Sequence, residues 1–251
     1  MASEFHWYEL RTRDPKAAAA FYAQVVGWGT MDAGSPEFPY TVMTTDKGGV
    51  AGIGVVPPVP TAKPGWIGYV AVDDVDACAA KLAKAGGVVH TQPADIPGIL
   101  RYADVADSQG ADFVIYHGFA EGGPPTGGPN EPGYPGWREL IATEAGAAFD
   151  FYAGLFGWVK TAGFDMGPMG VYQLFSAGAE DIGGMFTQPD KGDPPHWNYY
   201  FRVDSTNAAI ERLKAADGSV VNGPNQVPSG AFVVQARDPQ GLTFCLMSMN
   251  P

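Results

Sequence analysis

Two short segments each place a glutamate two residues after a tryptophan, Trp7 with Glu9 and Trp137 with Glu139. If the segments are β-strands, a side-chain period of two puts the tryptophan and the glutamate on the same face. A carboxylate in a partly apolar cavity can act as a general base or bind a ligand amine, and an indole can stack on a flat ligand. All four residues are therefore candidate ligand-binding residues.

A structural role is the alternative for both glutamates. Each carboxylate could instead form an ion pair, for example with Arg11 or Arg101, or contact a domain interface. The sequence alone leaves both interpretations open.

A third segment, residues 196–200, has the most polar and aromatic sequence of any predicted strand. Its alternate residues His196, Asn198 and Tyr200 share one face. This face is the best single candidate for ligand recognition, and His196 and Glu139 are the best candidates for a catalytic base. The histidines near other strand ends, His6, His90 and His117, are predicted to face solvent.

The two cysteines are too far apart for a disulfide scaffold or a metal finger. Cys78 lies on the apolar stripe of a predicted helix and is expected in the core. Cys245 is a candidate for a thiol in a ligand cleft, with core packing as its alternative. Trp66 and Trp197 are likewise either stacking platforms or core residues.

These segments belong to an internal repeat. The sequence WYEL at 7–10 recurs as WREL at 137–140, and DSQG at 107–110 recurs as DPQG at 238–241. The spacing between the matching segments is nearly the same in both cases. A near-constant offset over most of both halves indicates a duplication.

The duplication predicts two domains, at residues 1–119 and 137–251, joined by a Gly/Pro-rich linker at 120–136. We call the two domains the first and second copies. Where the second copy has His196 and Asn198, the first has Gly65 and Ile67, so the second is predicted to be the functional one if only one is.

Helix signals divide each copy further. Asp14 predicts a helix N-cap in the first copy and Thr143 in the second, while Gly27 and Gly157 predict the helix ends. A second helix follows in each copy, and Gly-bounded strand-like runs surround both helices. Each copy is therefore predicted to contain two β-α-β-β-β modules.

The WxEL…AAFYxxxxGW segment, the D-[SP]-Q-G turn and the four modules together resemble the vicinal oxygen chelate superfamily, which includes glyoxalase I, extradiol dioxygenases and bleomycin-resistance proteins. The segment 66–76 resembles two-domain, glyoxalase-related bacterial members. The resemblance implies an α+β fold in which pairs of βαβββ modules form two half-open-barrel, glyoxalase-like domains, each around a cleft.

The resemblance also implies a metal held by side chains from the first and last strands of paired modules. The aligned positions are Trp7, Ile67, Val114 and residues 52–55 in the first copy, and Trp137, Asn198, Cys245 and residues 183–186 in the second. Only Asn198 and Cys245 carry a donor atom, and a divalent site needs several converging donors. No metal and no other cofactor is predicted.

The charge balance limits the classes of molecule that the protein is expected to bind. With 15 Lys+Arg against 27 Asp+Glu, the net charge is −12, which makes nucleic acid an unfavourable partner and suits a neutral or cationic small molecule. No apolar stretch is long enough to span a membrane, and residues 1–10 do not resemble a signal peptide, so the cytoplasm is the expected location. A monomer or a homodimer is expected.

Three functions follow. The first is a metal-independent small-molecule binding protein whose cleft has aromatic walls and a carboxylate, with a ligand that is cationic or aromatic. The second is a glyoxalase-like lyase or isomerase, or a dioxygenase-type enzyme with an atypical metal site. The third is an interaction scaffold with collapsed clefts.

Overall fold

The computed structural model describes residues 3–59, 61–118, 130–189 and 192–251. Of the predicted linker, residues 120–129 lie outside the described residues. The elements of the first copy are β1 (Phe5–Thr12), α1 (Pro15–Val26), β2 (Gly29–Asp32), β3 (Tyr40–Thr45), β4 (Gly48–Val55), β5 (Gly65–Ala71), α2 (Val75–Lys84), β6 (Val88–Val89), β7 (Ala94–Ile96), β8 (Leu100–Ala106) and β9 (Asp112–Gly118). Those of the second copy are β10 (Pro135–Ala142), α3 (Ala145–Phe156), β11 (Val159–Asp165), β12 (Val171–Ser176), β13 (Asp181–Thr187), β14 (His196–Arg202), α4 (Thr206–Ala215), β15 (Ser219–Gln226), β16 (Phe232–Arg237) and β17 (Thr243–Ser248).

The element order confirms four strand-helix-strand-strand-strand modules, with one additional short strand, β7, in the second module. The strands form one nine-stranded and one eight-stranded sheet, and both sheets mix parallel and antiparallel pairs. The predicted α+β class is therefore confirmed. None of the described helices has the length and apolar character that crossing a membrane requires.

The described residues form two compact units, and each unit takes one module from each copy. Unit 1 consists of residues 3–6, 67–118, 138–189 and 192–198, and unit 2 of residues 7–59, 61–66, 130–137 and 199–251. In unit 1, β9 lies between β5 and β8, and β13 lies between β10 and β12. In unit 2, β4 lies between β1 and β3, and β17 lies between β14 and β16. The predicted boundaries of the two copies stay a prediction.

Helix α1 begins and ends as its sequence predicts. The carboxylate of Asp14 accepts a hydrogen bond from the Ala17 N–H at 3.0 Å, and Gly27 ends the helix in the left-handed conformation. In α3 the predicted cap, Thr143, is wrong. The cap is Glu144, whose carboxylate accepts from two N–H groups of the first turn. Glu144 occupies the same position in the second copy as Asp14 in the first, so an alignment of the two copies identifies Glu144 as the cap.

The two D-x-Q-G turns bind the starts of helices that belong to the other copy. The side-chain amide of Gln109 donates to the Glu144 carbonyl at 2.7 Å and accepts from the Glu144 N–H at 2.8 Å. Gln240 makes the same pair of hydrogen bonds with Asp14, both at 3.1 Å. Each glutamine thus satisfies the N–H of the cap residue, which has no intrahelical partner, and adds a second donor to the cap carbonyl, which already accepts from the N–H four residues later.

The first aspartate of each turn binds a buried tyrosine. Tyr152 donates to Asp107 at 3.1 Å in unit 1, and Tyr22 donates to Asp238 at 3.3 Å in unit 2. Burial raises the pKa of both aspartates, although backbone N–H groups that bind their carboxylates oppose the shift. The turns therefore join the two copies within each unit, a role that their sequence as tight turns does not reveal.

Trp197 is a buried core residue, whereas Trp66 is only half-buried. The indole N–H of Trp66 donates to Tyr22 at 3.1 Å, and that of Trp197 donates to Tyr152 at 2.9 Å. Both rings pack edge-on against the tyrosine that they bind. Each tyrosine hydroxyl thus accepts from a tryptophan and donates to an aspartate.

The histidines differ from one another in exposure. His117 faces solvent as predicted, whereas His6 and His90 are half-buried, contrary to the prediction. The ring of His90 lies 2.9 Å from a carboxylate oxygen of Asp112, which holds it against the sheet. Burial lowers the pKa of His6.

Candidate functional site

The first carboxylate cluster lies in unit 2 and consists of Trp7, Glu9, Arg11 and Tyr40. Strand alternation puts the three β1 residues on one face, and Tyr40 reaches them from β3. Its hydroxyl accepts from the Trp7 indole at 3.1 Å and donates to Glu9 Oε2 at 3.3 Å. Arg11 Nε binds Glu9 Oε1 at 2.9 Å. Both carboxylate oxygens of Glu9 are therefore hydrogen-bonded, and the predicted ion pair with Arg11 is confirmed.

The charge and burial around Tyr40 keep its phenol protonated. Burial raises the pKa of Tyr40 well above its usual range, and the negative charge of Glu9 raises it further. The Tyr40 hydroxyl is consequently a permanent donor to Glu9. Arg101, the other arginine considered for Glu9, instead binds Asp76 and Asp95 at the surface of unit 1.

A glycine makes the contact between Tyr40 and Glu9 possible. Gly52 on β4 lies opposite Glu9 in the parallel pairing of β1 with β4. A Cβ atom at Gly52 would overlap the hydroxyl oxygen and Cζ of Tyr40. The tyrosine ring crosses β4 over this glycine, so a larger residue there would displace it.

The second carboxylate cluster lies in unit 1 and consists of Glu139, Tyr172 and Asn198. Tyr172 donates to Glu139 Oε1 at 3.1 Å, and the Asn198 amide lies 3.4 Å from Oε2. Glu139 and Asn198 are both more than nine-tenths buried. Gly184 lies opposite Glu139, and a Cβ there would overlap the Tyr172 ring. The second copy thus repeats the glutamate, the tyrosine and the glycine of the first.

The copies differ around this shared arrangement. Arg11 of the first cluster corresponds to Ile141, and Asn198 of the second corresponds to Ile67. The sequence interpretation missed Tyr40 and Tyr172, although the repeat relates them to each other. The signal was a tyrosine on the strand that precedes a glycine-containing strand. Tyr40 precedes β4 in the first copy, and Tyr172 precedes β13 in the second.

Three other predicted residues come together elsewhere. Trp137, Tyr200 and Cys245 form an apolar cluster in unit 2 with Ala231, Met247, Val227 and Val233. Cys245 has no exposed surface. His196, at the start of β14, is half-buried, and its Nδ1 lies 2.9 Å from the Pro194 carbonyl oxygen. The roles of these residues in binding or catalysis stay predictions.

The carboxylate clusters do not fit a metal ion of the kind that the family resemblance implies. Among the described residues, no group of three or more His, Cys, Asp or Glu side chains could hold one. In the first cluster both Glu9 oxygens bind hydrogen-bond donors, and the Arg11 guanidinium would repel a divalent cation. The neighbouring Gly52 offers no side-chain donor.

Comparisons with known proteins agree with this fold. The model of the Glyoxalase/Bleomycin resistance protein/Dioxygenase superfamily matches residues 4–115 and 136–246. The Mycobacterium tuberculosis protein named "Putative glyoxylase CFP32" is 33% identical, over 98% of this chain and 95% of its own length. Anthracycline biosynthesis protein DnrV of Streptomyces peucetius is 32% identical, over 97% of this chain and 92% of its own.

A solved structure extends the likeness to three dimensions. The Mn(II)-bound glyoxalase of Novosphingobium aromaticivorans superposes with a TM-score of 0.67 at 18% identity, covering 100% of this chain and 82% of its own. At this identity the likeness shows the fold alone. The sequence-based expectation of two tandem glyoxalase-like domains is thereby confirmed.

Proposed function

Because the chain belongs to the glyoxalase/bleomycin resistance protein/dioxygenase superfamily, we propose that it is a metal-independent small-molecule binding protein. In this proposal a ligand binds at a carboxylate cluster through hydrogen bonds to Glu and Tyr and through contact with an indole. Binding without a metal agrees with the side chains that occupy the clusters, since hydrogen-bond donors satisfy both oxygens of Glu9.

The observation that carries the proposal is the Glu-Tyr-Gly arrangement, which both copies contain. Gly52 and Gly184 have no side chain that could pack there, and this leaves the space through which a tyrosine reaches a glutamate. Such a preorganised polar pair on a sheet face is what a ligand site needs to orient a bound molecule. A purely structural sheet would gain more from an apolar residue at the glutamate position.

The ligand that fits is a planar aromatic molecule with a hydrogen-bond donor or a positive charge. Trp7 is half-buried in the first cluster and presents an indole beside the carboxylate. The net charge of −12 attracts a cation over a longer range. DnrV, a relative over nearly the whole chain, is named for anthracycline biosynthesis, and anthracyclines are planar fused-ring molecules.

A lyase or isomerase is the second candidate, and the second cluster favours it. The hydrogen bonds that Glu139 accepts from Tyr172 and Asn198 come from neutral groups. Glu139 is more than nine-tenths buried, and these two hydrogen bonds fix the orientation of its carboxylate, as a general base requires. The name of the mycobacterial relative, which contains the word glyoxylase, agrees with this alternative.

Binding and metal content measured on the same preparation test the proposal. Protein purified without chelator is analysed for metals and titrated with an amino-sugar anthracycline in the presence and absence of EDTA. We expect less than one metal equivalent per chain and an affinity that EDTA does not change. One equivalent of nickel, zinc, manganese or iron, or binding that EDTA abolishes, would overturn metal-independent binding.

A further inference from the structure

A groove of about 720 Å³ lies in unit 2 between helix α1 and the strands β2 and β3. Its walls are mostly small and apolar, and they include Ala19, Ala23, Pro36 and Pro39. Because α1 forms one wall, the groove belongs to the helix side of the sheet. We call it the α1 groove.

The second copy has larger side chains at two positions that line the α1 groove in the first copy. Ala19 on α1 corresponds to Phe149 on α3, and Thr30 on β2 corresponds to Lys160 on β11. In the second copy Phe149 is buried, and the Lys160 ammonium lies 4.7 Å from the centre of its ring. The same junction of helix and strand therefore accommodates a phenyl ring when one is present.

An exposed phenylalanine lies beside the α1 groove. Phe38, in the loop that joins β2 to β3, is 79% exposed, more than any other large apolar side chain among the described residues. Pro36 and Pro39, which flank it in the sequence, line the groove. One continuous surface of the first copy thus carries both an apolar groove and an apolar ring.

Hydrogen bonds fix the loop that presents Phe38. The backbone groups of Ser35 and Phe38 exchange two hydrogen bonds, at 3.0 and 3.1 Å, and the Gly34 N–H donates to the Asp32 carboxylate at 3.1 Å. A Cβ at Gly34 would overlap the Phe38 carbonyl oxygen. A loop that is already ordered loses little conformational entropy when its exposed side chain is buried by a partner.

We propose that the α1 groove is a self-association surface, in which Phe38 of each chain enters the α1 groove of a second copy. A two-fold dimer uses the same patch on both chains, so that patch must contain both the inserted group and its receptor. The surface around Phe38 meets this condition. The proposal is independent of the proposed function, since it concerns the helix side of the sheet.

The charges beside the ring and the groove are complementary. Lys16 lies on the helix wall of the α1 groove, and Glu37 directly precedes Phe38. Both side chains are exposed. When Phe38 enters the groove of a second copy, Glu37 comes to the rim that carries the partner's Lys16. Opposite charges at a rim favour encounter and orientation of the two chains.

The size of the contact predicts a weak dimer. Each phenyl ring buries about 150–250 Å² at most, whereas a standard interface buries about 1,200–2,000 Å² in total. The two rings and the groove walls therefore form an interface at the lower end of the range. We expect a dissociation constant on the order of 10 μM.

Sedimentation velocity of the full chain, at concentrations on both sides of this value, tests the proposal. Phe38→Ala is expected to raise the dissociation constant about tenfold or more, because a central aromatic residue carries much of the binding energy of an interface. Ile99→Ala is the matched control. It shortens another apolar side chain, 58% exposed in unit 1, and is expected to leave the dissociation constant unchanged.

A second variant fills the α1 groove with the side chains of the second copy. Ala19→Phe, Thr30→Lys is expected to weaken the dimer about tenfold or more, since the partner's Phe38 then finds a ring in its place. The melting temperature reports whether this variant folds. Phe38→Ala decides the case if it does not, because that substitution removes only an exposed ring.

A charge exchange tests how the two chains are oriented. Lys16→Glu and Glu37→Lys are each expected to weaken the dimer about two- to fivefold, as exposed ion pairs do. The double variant restores opposite charges and is expected to regain the affinity of the unaltered chain. Losses that simply add in the double variant would overturn the pairing of Lys16 with Glu37.

Three results would overturn self-association through the α1 groove. The first is a monomer at every concentration, and the second is a dimer that Phe38→Ala leaves unchanged or that Ile99→Ala weakens equally. The third is a dimer that Ala19→Phe, Thr30→Lys abolishes but Phe38→Ala does not, which would mean that another segment occupies the groove. None of these results bears on ligand binding at the carboxylate clusters, so the proposed function is tested separately.

Discussion

The hydroxyl of Tyr152 donates a hydrogen bond to Asp107, which precedes it by 45 residues and belongs to the other copy. The same hydroxyl accepts from the indole of Trp197. Tyr22 repeats this arrangement with Asp238 and Trp66 in unit 2. In each unit, a tyrosine and a tryptophan of one copy and an aspartate of the other copy thus form one buried hydrogen-bond network.

Replacing Tyr152 by Phe removes a hydroxyl that makes two buried hydrogen bonds. We expect the free energy of unfolding to fall by about 2 kcal/mol, since Asp107 and Trp197 each lose a partner. Urea denaturation measures this. Tyr134→Phe is the matched control, because the Tyr134 hydroxyl makes a half-buried hydrogen bond with Thr45 and should cost less. An equal loss in both variants would contradict the network.

Asp107 makes stability depend on pH. Burial raises its pKa in the folded state, so folding favours the protonated form. Its contribution is fully present below the unfolded pKa of about 4 and is lost as the pH rises through the folded pKa. We expect the Asp107→Asn variant to gain stability relative to the unaltered protein as the pH rises from about 4. Denaturation at several pH values measures this, and a difference that does not vary with pH would refute it.

Gly52→Ala tests the glycine that lets Tyr40 reach Glu9. The new Cβ would overlap the Tyr40 ring, so the tyrosine must move and its hydrogen bond to Glu9 is lost. We expect the free energy of unfolding to fall by about 1 to 3 kcal/mol. Gly154→Ala in α3 is the control, because a Cβ there meets no atom within 4 Å and should stabilise the helix by about 0.5–1 kcal/mol. Thermal unfolding of both variants distinguishes the two cases.

Glu139→Gln and His196→Ala test the sequence-predicted site residues directly. Both substitutions are expected to leave the fold intact while weakening the binding of an anthracycline probe in a thermal-shift assay. Glu139→Gln loses the charge that Tyr172 and Asn198 bind, whereas His196→Ala removes a half-buried ring near Pro194. If neither variant binds the probe more weakly than the unaltered protein, neither Glu139 nor His196 belongs to the binding site.

Local chemistry was sufficient to predict the elements. Asp14 caps α1 because its short carboxylate reaches a free N–H, and Gly27 ends the helix because it adopts positive φ at little cost. The cap of α3 was predicted one residue too early, since Thr143 is the commoner capping type and Glu144 is not. The repeat offset would have corrected this.

The carboxylate clusters were predictable only in part. Strand alternation placed Trp7, Glu9 and Arg11 on one face, because side chains of a strand alternate regardless of its neighbours. Tyr40 joins them from a strand 31 residues away, and only the pairing of β3 with β4 decides that contact.

The sequence by itself determined the duplication, the βαβββ modules and the glutamates of the two clusters, because repeats and periodicities are written in the order of residues. The tertiary structure alone decided which modules share a compact unit, and that Asp107 and Asp238 bind tyrosines of the other copy. It also decided that Tyr200 and Cys245 are buried in an apolar cluster. These facts depend on contacts between residues far apart in the chain. Strand register and packing decide which of these contacts form, and the local sequence does not encode them.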